Sequence, residues 1–334
     1  MINKKIIIFG ATGQIGKELS LKVKENKDGI DFLFYARTLV SASFFIENKI
    51  NYIVGNLEDK MIIQNISEAD LIFDLTAPNT GTLQEIKEIY KNRLDLIIGN
   101  MKKKSKFVFA STKMAFGLSE KRKYMKNYFF PGSIYAANKR YAEKYSLKLG
   151  KKNKIDIYLL RLADVHGDYQ RSSENLKKLI LNGYTFKIPK TPAWVIFISS
   201  IKKALIYILD NKEKPGLYTL TNDQIYWEDL LKYFADKSGS KIKIELMNNK
   251  KNGFFKNFKD FIYKTIISNK DLIRGNIVIP KKIEELKKLD FRVAKSKIAL
   301  ANLKGLKSYD ELNSFVGLLP GKRMHSLDLK KNDT

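Results

Sequence analysis

The chain has 334 residues, 44% of them hydrophobic, enough to bury the core of one large domain or two interlocked ones. It has no Cys and only two His, His166 and His325, which excludes a disulfide framework and thiolate chemistry and argues against a His/Cys metal site. The formal net charge is +27, yet only nine of the 62 Lys and Arg are Arg, and the Lys are spread along the whole chain. That is general surface charge, not the Arg-bearing patch of a nucleic-acid site. No apolar run reaches the ~20 residues of a membrane span. The apolar part of "MINKKIIIFG" is too short for a signal-peptide core and reads as a first strand, so a cytoplasmic protein is expected.

In chain order, short near-continuous apolar runs fall at 5–10, 31–36, 50–55, 70–75, 106–111 and 155–162. Such runs suit strands buried on both faces. Helical patterns lie between them, as in "GQIGKELSLKVKEN" and "GTLQEIKEIYKNRLDLIIGNMKKK". The alternation predicts an α/β fold with a doubly wound parallel sheet. After about residue 170 it loosens into helices with short strands at "TFKIP", "WVIFIS", "GLYTLT", "KIKIEL" and "DFRVA". The expected organisation is a dinucleotide-binding domain over 1–170, to which some later segments return. A smaller, mainly substrate-binding α+β lobe over 171–320 and a polar tail over 321–334 follow. The aromatic and basic stretch 254–268 reads as an amphipathic helix packed on the protein.

"IIIFGATGQIGKEL" is a strand, a glycine-rich turn and a helix start. Gly10 permits the tight turn, Gly13 lets backbone approach a pyrophosphate, and Gly16 lets the helix pack closely on the strand. The helix start presents free N–H groups and a positive dipole end to phosphate. At the end of the second strand, where an NAD site places a carboxylate for the ribose 2′-OH, stand Ala36 and then Arg37. Arg37 suits a 2′-phosphate, so NADP is favoured over NAD.

"SIYAANKRYAEKY" places Tyr135 and Lys139 one turn apart on a helix, on the same face. An ammonium beside a phenol favours the phenolate and is expected to lower its pKa from about 10 toward neutrality.

With these motifs in order, the chain resembles the extended short-chain dehydrogenases/reductases of the NAD-dependent epimerase/dehydratase family. "GATGQIG", "VGNLED" (54–59), "LIFDLTA" (71–77), "FVFASTKMAFG" (107–117) and "YAANK" (135–139) carry the likeness, and the later "GLYTLTNDQIYWEDLLKYFAD" and "DFRVAKSKIALANLKGLKSYDEL" extend it to roughly 4–315. The resemblance implies a Rossmann-type domain whose cofactor contacts Gly10, Thr12, Gly13, Gln14, Ile15, Gly16, Arg37, Asn56, Leu57, Leu75, Thr76 and Ala77. Tyr135 and Lys139 complete that set. It further implies Tyr135 as proton donor and acceptor, Lys139 as its tuner and ribose ligand, and Thr112 as a third catalytic hydroxyl, with Ser111 and Asp164 on the substrate. No metal is implied. Homodimerisation is common among such relatives.

Several positions depart from the pattern. Lys113 and Met114 stand where nucleotide-sugar dehydratases carry Asp-Glu, which argues against 4,6-dehydration. In "RLADVHG", Arg161 and Gly167 match but Asp164 replaces an Asn, a carboxylate unfavourable near a diphosphate unless paired or protonated. In "AWVIFISS", Ala193 or Trp194 stands for an Arg, and Ser199 and Ser200 for acids. His166 is expected in a loop near the pocket mouth without a catalytic role. The expectation is a nucleotide-sugar epimerase or 4-ketoreductase of surface-polysaccharide synthesis. A reductase of a non-nucleotide carbonyl compound and a non-catalytic dinucleotide-binding regulator are the alternatives.

Overall fold

The computed structural model describes residues 4–24, 29–78, 81–116, 134–188, 193, 195–222 and 225–246. The expected helix at 254–268, the strand "DFRVA" and the tail from 321 lie outside the described residues, as does Trp194.

In chain order the elements are β1 (Lys4–Phe9), α1 (Gln14–Lys24), β2 (Ile30–Ala36), α2 (Ser43–Glu47), β3 (Tyr52–Val54), α3 (Lys60–Glu68), β4 (Leu71–Asp74), α4 (Leu83–Asn100) and β5 (Lys106–Thr112). A 3-10 turn (Lys113–Phe116) follows, then α5 (Ile134–Asn153), β6 (Asp156–Leu162), β7 (Asp164–His166), α6 (Arg171–Leu181), β8 (Thr185–Ile188) and β9 (Val195–Phe197). The last described elements are α7 (Ile198–Leu209), β10 (Gly216–Leu220), α8 (Trp227–Lys237) and β11 (Lys243–Leu246).

Seven strands form one parallel sheet in the order β10-β6-β5-β4-β1-β2-β3. This is the doubly wound order, with its reversal between β1 and β4. All six strand runs expected from the first half are in it, and β10 joins them beside β6. The strands are apolar on both faces because both faces are covered. On β1, Ile6 and Ile8 enter one core with α1 and α7, while Ile7 and Phe9 enter the other with α3, α4 and α5. The run "WVIFIS" is a three-residue strand followed at once by a helix, so the apolar pattern of 198–209 belongs to α7 and buries its face against the first core.

Helix α4 starts at a capping box in which the Thr82 side chain accepts from the Glu85 backbone and Glu85 accepts from the Thr82 N–H at 2.6 Å. It lies beside α5, where the Tyr145 hydroxyl donates to Asp95 at 2.8 Å. A third apolar cluster gathers β8, β9, α6 and α8. Its link to the large sheet runs through the loop after β7. There the buried Glu18 of α1 accepts from the backbone N–H of Asp168 and Tyr169 and from the Gln170 amide, at 2.8–3.1 Å. A Cβ on Gly167 would stand 2.1 Å from a Glu18 oxygen, which is why this position is glycine.

His166 is the last residue of β7, not a loop residue, and it is buried. Its Nδ1 lies 3.1 Å from the Ser173 hydroxyl, and its ring packs against Phe197 and Phe234. Burial pulls the imidazole down to about 4. An unfolded chain takes up this proton below about 6.5, the folded chain only near 4. Stability from the neutral ring is therefore complete above about 6.5 and is lost as pH falls through that window. Urea unfolding should show the wild type losing about 2 kcal/mol more than His166→Gln between pH 7 and pH 5, at ~1.36 kcal/mol per unit. Equal losses would show that the ring titrates normally.

Candidate active site

The expected cofactor residues lie at or just past the ends of β1 to β4, save Gln14, Ile15 and Gly16, which open α1, and Tyr135 and Lys139 on α5. Gly10 follows β1 with φ +71°, in the left-handed region. A Cβ there would meet the Thr76 backbone N at 2.7 Å and the Leu75 carbonyl carbon at 2.8 Å. The glycine turn and the turn after β4 are thus in backbone contact, and Leu75 and Thr76 stand beside Gly10. The Gly13 N–H donates to the Gly10 carbonyl at 3.1 Å and closes the turn. Gly13 itself faces outward, and a Cβ on it would meet only the Gly10 carbonyl oxygen, at 3.3 Å. Gly16 is different: a Cβ would lie 2.3 Å from the Ala11 carbonyl oxygen and 2.4 Å from its Cα. Helix α1 starts between them at Gln14, with Thr12 and Ile15 half-buried. This is a glycine turn at a helix start, the arrangement that suits a phosphate.

Along the same edge, Arg37 is exposed just past β2, and among the described residues its guanidinium makes no hydrogen bond or ion pair. Asn56 is exposed past β3, its N–H held by Asp59 at 2.7 Å, while Leu57 is half-buried against the core. Ala77 is exposed past β4.

Helix α5 supplies the catalytic candidates. Tyr135, Lys139 and Glu143 follow at intervals of four, so one face carries all three. Glu143 anchors that face. Its carboxylate receives both arms of the Arg161 guanidinium from β6, at 2.8 and 2.7 Å, together with Ser111 at 2.6 Å and Arg140 at 3.0 Å. Lys139 is 2% exposed, and its ammonium donates to the backbone carbonyls of Thr76 at 3.0 Å and Ala110 at 2.6 Å. Its Nζ also lies 4.6 Å from the Phe109 ring centroid. Tyr135 stands at the open end of the face, 39% exposed, near the Thr112 hydroxyl at the end of β5. The structure therefore brings Thr112, Tyr135 and Lys139 together beside the turn that touches Gly10.

The electrostatics differ from the sequence expectation. Enclosure by the protein pushes the Tyr135 phenol above its ordinary value, and only the Thr112 side chain opposes this. Lys139, 5.9 Å from the phenol ring centroid, is itself pulled down to about 7 by burial, with Asp74 raising it and Arg93 lowering it. An ammonium that is half-deprotonated near neutrality and bonded to two carbonyls does not acidify the phenol. Both groups are shifted toward their neutral forms.

The expected substrate contacts also change. Ser111 is buried, and its one proton goes to Glu143, so it serves the α5 anchor and has no donor left for a substrate. Asp164 is half-exposed at the start of β7, and Lys113 donates to its carboxylate. Three buried charges, Glu18, Asp74 and Glu143, and the half-buried Arg93 were not expected from the sequence. For Glu143 the signal was present, because it continues the four-residue spacing of Tyr135 and Lys139. Arg161, inside an otherwise apolar strand, pointed to a buried carboxylate partner. Among the described residues no group of His and acidic side chains could hold a metal, and no helix is long and apolar enough to cross a membrane.

A doubly wound sheet with a glycine cradle at its reversal and a Tyr-Lys helix at its edge defines a nicotinamide-dependent enzyme of the short-chain dehydrogenase type. The sequence model of the NAD-dependent epimerase/dehydratase family matches residues 6–187, more than half of the chain, and the chain belongs to that family. No curated relative matches it by sequence. Solved structures similar to it include the UDP-N-acetylglucosamine 4-epimerase of Bacillus cereus, with 19% identity and a TM-score of 0.56, covering 75% of this chain and 88% of that one. The ADP-L-glycero-D-manno-heptose-6-epimerase of Helicobacter pylori has 16% identity and a TM-score of 0.55, covering 73% and 85%. The Bacillus cereus UDP-glucuronic acid 4-epimerase, solved with UDP-glucuronic acid and NAD, has 16% identity and a TM-score of 0.54, covering 73% and 86%. At these identities the likeness establishes the fold.

The two glycines separate binding from packing. Gly13→Ala should keep the wild-type melting temperature within a few degrees while weakening NADPH or NADH binding at least about tenfold, ~1.4 kcal/mol, by fluorescence titration. Gly16→Ala should destabilise the fold by about 1–3 kcal/mol or more, because the Ala11 backbone must move. Reversed effects would remove the cradle assignment.

Proposed function

We propose that the protein is an NADP-preferring nucleotide-sugar epimerase or 4-ketoreductase in which Tyr135 exchanges a proton with a sugar oxygen. The observation that carries this reading is the approach of Tyr135 to Thr112 at the carboxyl edge of the sheet, next to the turn that meets Gly10. The cofactor supplies hydride transfer to and from the sugar carbon; the chain's residues do the rest. Thr112 and Tyr135 hold the substrate oxygen between two hydroxyls. In the free protein the phenol is protonated and set to donate to a carbonyl oxygen as it gains negative charge. Lys139, with one N–H left beyond those given to Thr76 and Ala110, would be the residue to hold the nicotinamide ribose.

The exposed Arg37 guanidinium past β2, which makes no ion pair among the described residues, supports NADP, since Ala36 and Arg37 put no carboxylate at the strand end. The Lys113–Asp164 pair supports a nucleotide-sugar substrate. An unpaired Asp164 would oppose a diphosphate, but Lys113 neutralises it. Lys113 and Met114 offer no carboxylate for removing water across C5 and C6, which supports epimerisation or ketoreduction over dehydration. The solved neighbours named for UDP-N-acetylglucosamine, UDP-glucuronic acid and an ADP-heptose define the first substrate panel. The proposal extends to a role in surface-polysaccharide synthesis in the cytoplasm.

On a substrate from that panel, Tyr135→Phe should lower turnover by about 10²–10⁴-fold and leave cofactor affinity nearly intact. Unchanged turnover would remove Tyr135 from the chemistry. An epimerase should turn over without added NADPH, whereas a ketoreductase should consume it stoichiometrically.

Arg37→Ala should weaken NADPH binding by about tenfold or more, the ~1.5–3 kcal/mol of a charged hydrogen bond, and leave NADH binding unchanged. Equal losses would defeat the NADP preference.

A further inference from the structure

We propose that the buried Asp74–Arg93 pair is a positioning device that fixes the Lys139 ammonium under the active-site edge. The proposal rests on the functional reading above for the importance of Lys139, but not for its own test. Asp74 ends β4 and is fully buried; one of its oxygens takes the Arg93 guanidinium of α4 at 2.7 Å. Its other oxygen accepts from the Thr76 N–H at 2.9 Å and the Thr76 hydroxyl at 2.7 Å. Those bonds close a turn over three residues and leave one Thr76 group outward, its carbonyl. That carbonyl accepts from Lys139 at 3.0 Å and from the Tyr90 hydroxyl of α4 at 3.3 Å. Arg93 and Tyr90 lie one turn apart on α4, with the guanidinium 5.1 Å from the phenol ring centroid, so one helix face braces the whole turn.

A buried ion pair is weak evidence for stability, because a well-packed apolar pair often serves as well. This pair does something an apolar pair cannot: it holds a backbone carbonyl at hydrogen-bond distance from a buried ammonium. It also balances charge there. The charged groups that face Lys139 are Asp74 from β4, Arg93 from α4 and Glu143 from its own helix; Tyr90 and Tyr135 are neutral, and β5 offers only a carbonyl and the Phe109 ring. Glu143 is engaged by Arg161, Arg140 and Ser111, so Asp74 and Arg93 are the adjustable charges. Asp74 favours the ammonium and Arg93 opposes it.

The test is an NMR titration of lysine Nζ in the full chain, with the Lys139 signal identified by its loss in Lys139→Arg. The wild-type midpoint should fall near about 7. Asp74→Asn should move it down and Arg93→Gln up, each by roughly one unit, and Arg93→Lys should restore it. A merely structural pair would shift both variants in one direction or neither, and that result overturns the proposal. The double variant Asp74→Asn/Arg93→Gln leaves no uncompensated charge, so it guards against a single variant that does not fold. Its midpoint should lie between those expected for the two single variants; failure of the double variant to fold would assign the pair to the scaffold and also overturn the proposal. If the wild type binds neither NADPH nor NADH, the functional reading falls while the titration still decides this one.

Discussion

Taking an ammonium out of water requires acceptors arranged around it, and burying Lys139 is the constraint from which the rest of this cleft follows. Two backbone carbonyls meet that need, one at the tip of β4 and one near the end of β5. Carbonyls inside the sheet are already paired between strands, so only the carboxyl edge can offer them. The helix carrying Lys139 must therefore pass under that edge. Glu143 one turn further along pins it there through Arg161 of β6 and the Ser111 hydroxyl of β5. With Lys139 and Glu143 fixed on one face, Tyr135 one turn before them is delivered to the rim, where Thr112 meets it.

The same constraint reaches the dinucleotide cradle. The Thr76 carbonyl that holds Lys139 belongs to the turn whose backbone leaves no room for a side chain on Gly10. The glycine turn and the helix carrying Tyr135 and Lys139 are thus both built against one three-residue turn. That turn is tightened by Asp74, braced by Arg93 and Tyr90, and placed at the sheet reversal by the parallel pairing of β4 with β1. Precision is set by packed backbone here, and no long loop among the described residues intervenes.

The strands, the glycine turn and the Tyr-Lys helix were legible because each rests on short-range pattern. Apolar runs show a sheet covered on both faces, and spacing of three or four residues shows what shares a turn or a helix face. What was not legible depends on partners far apart in sequence. Glu18 reads as an ordinary charged position on an amphipathic helix, and nothing local says that it caps a loop about 150 residues later. Ser111 and Thr112 are adjacent hydroxyls, and only the position of Glu143 decides which one is removed from the substrate side. The strand-helix junction at Phe197 and Ile198 was hidden because both elements are buried and apolar, which erases the difference between periods two and 3.6. Asp164 is unfavourable near a diphosphate unless paired or protonated, and the partner that decides this, Lys113, stands 51 residues earlier.

The largest difference between sequence and structure concerns charge, and it has one cause. A phenol and an ammonium drawn on a helical wheel invite the picture of a phenolate stabilised by a cation. Desolvation acts on both groups at once and favours the neutral form of each, raising the phenol and lowering the amine. Four residues of helix bring their side chains to the same face but do not decide how much water remains there. With the amine held by carbonyls and its charge balanced between Asp74 and Arg93, the free protein keeps the Tyr135 proton in place. On the proposed function, acid-base competence of the pair would arise in the filled cleft, where an oxidised nicotinamide would add positive charge to the balance that burial sets. The helix contributes geometry that is complete beforehand.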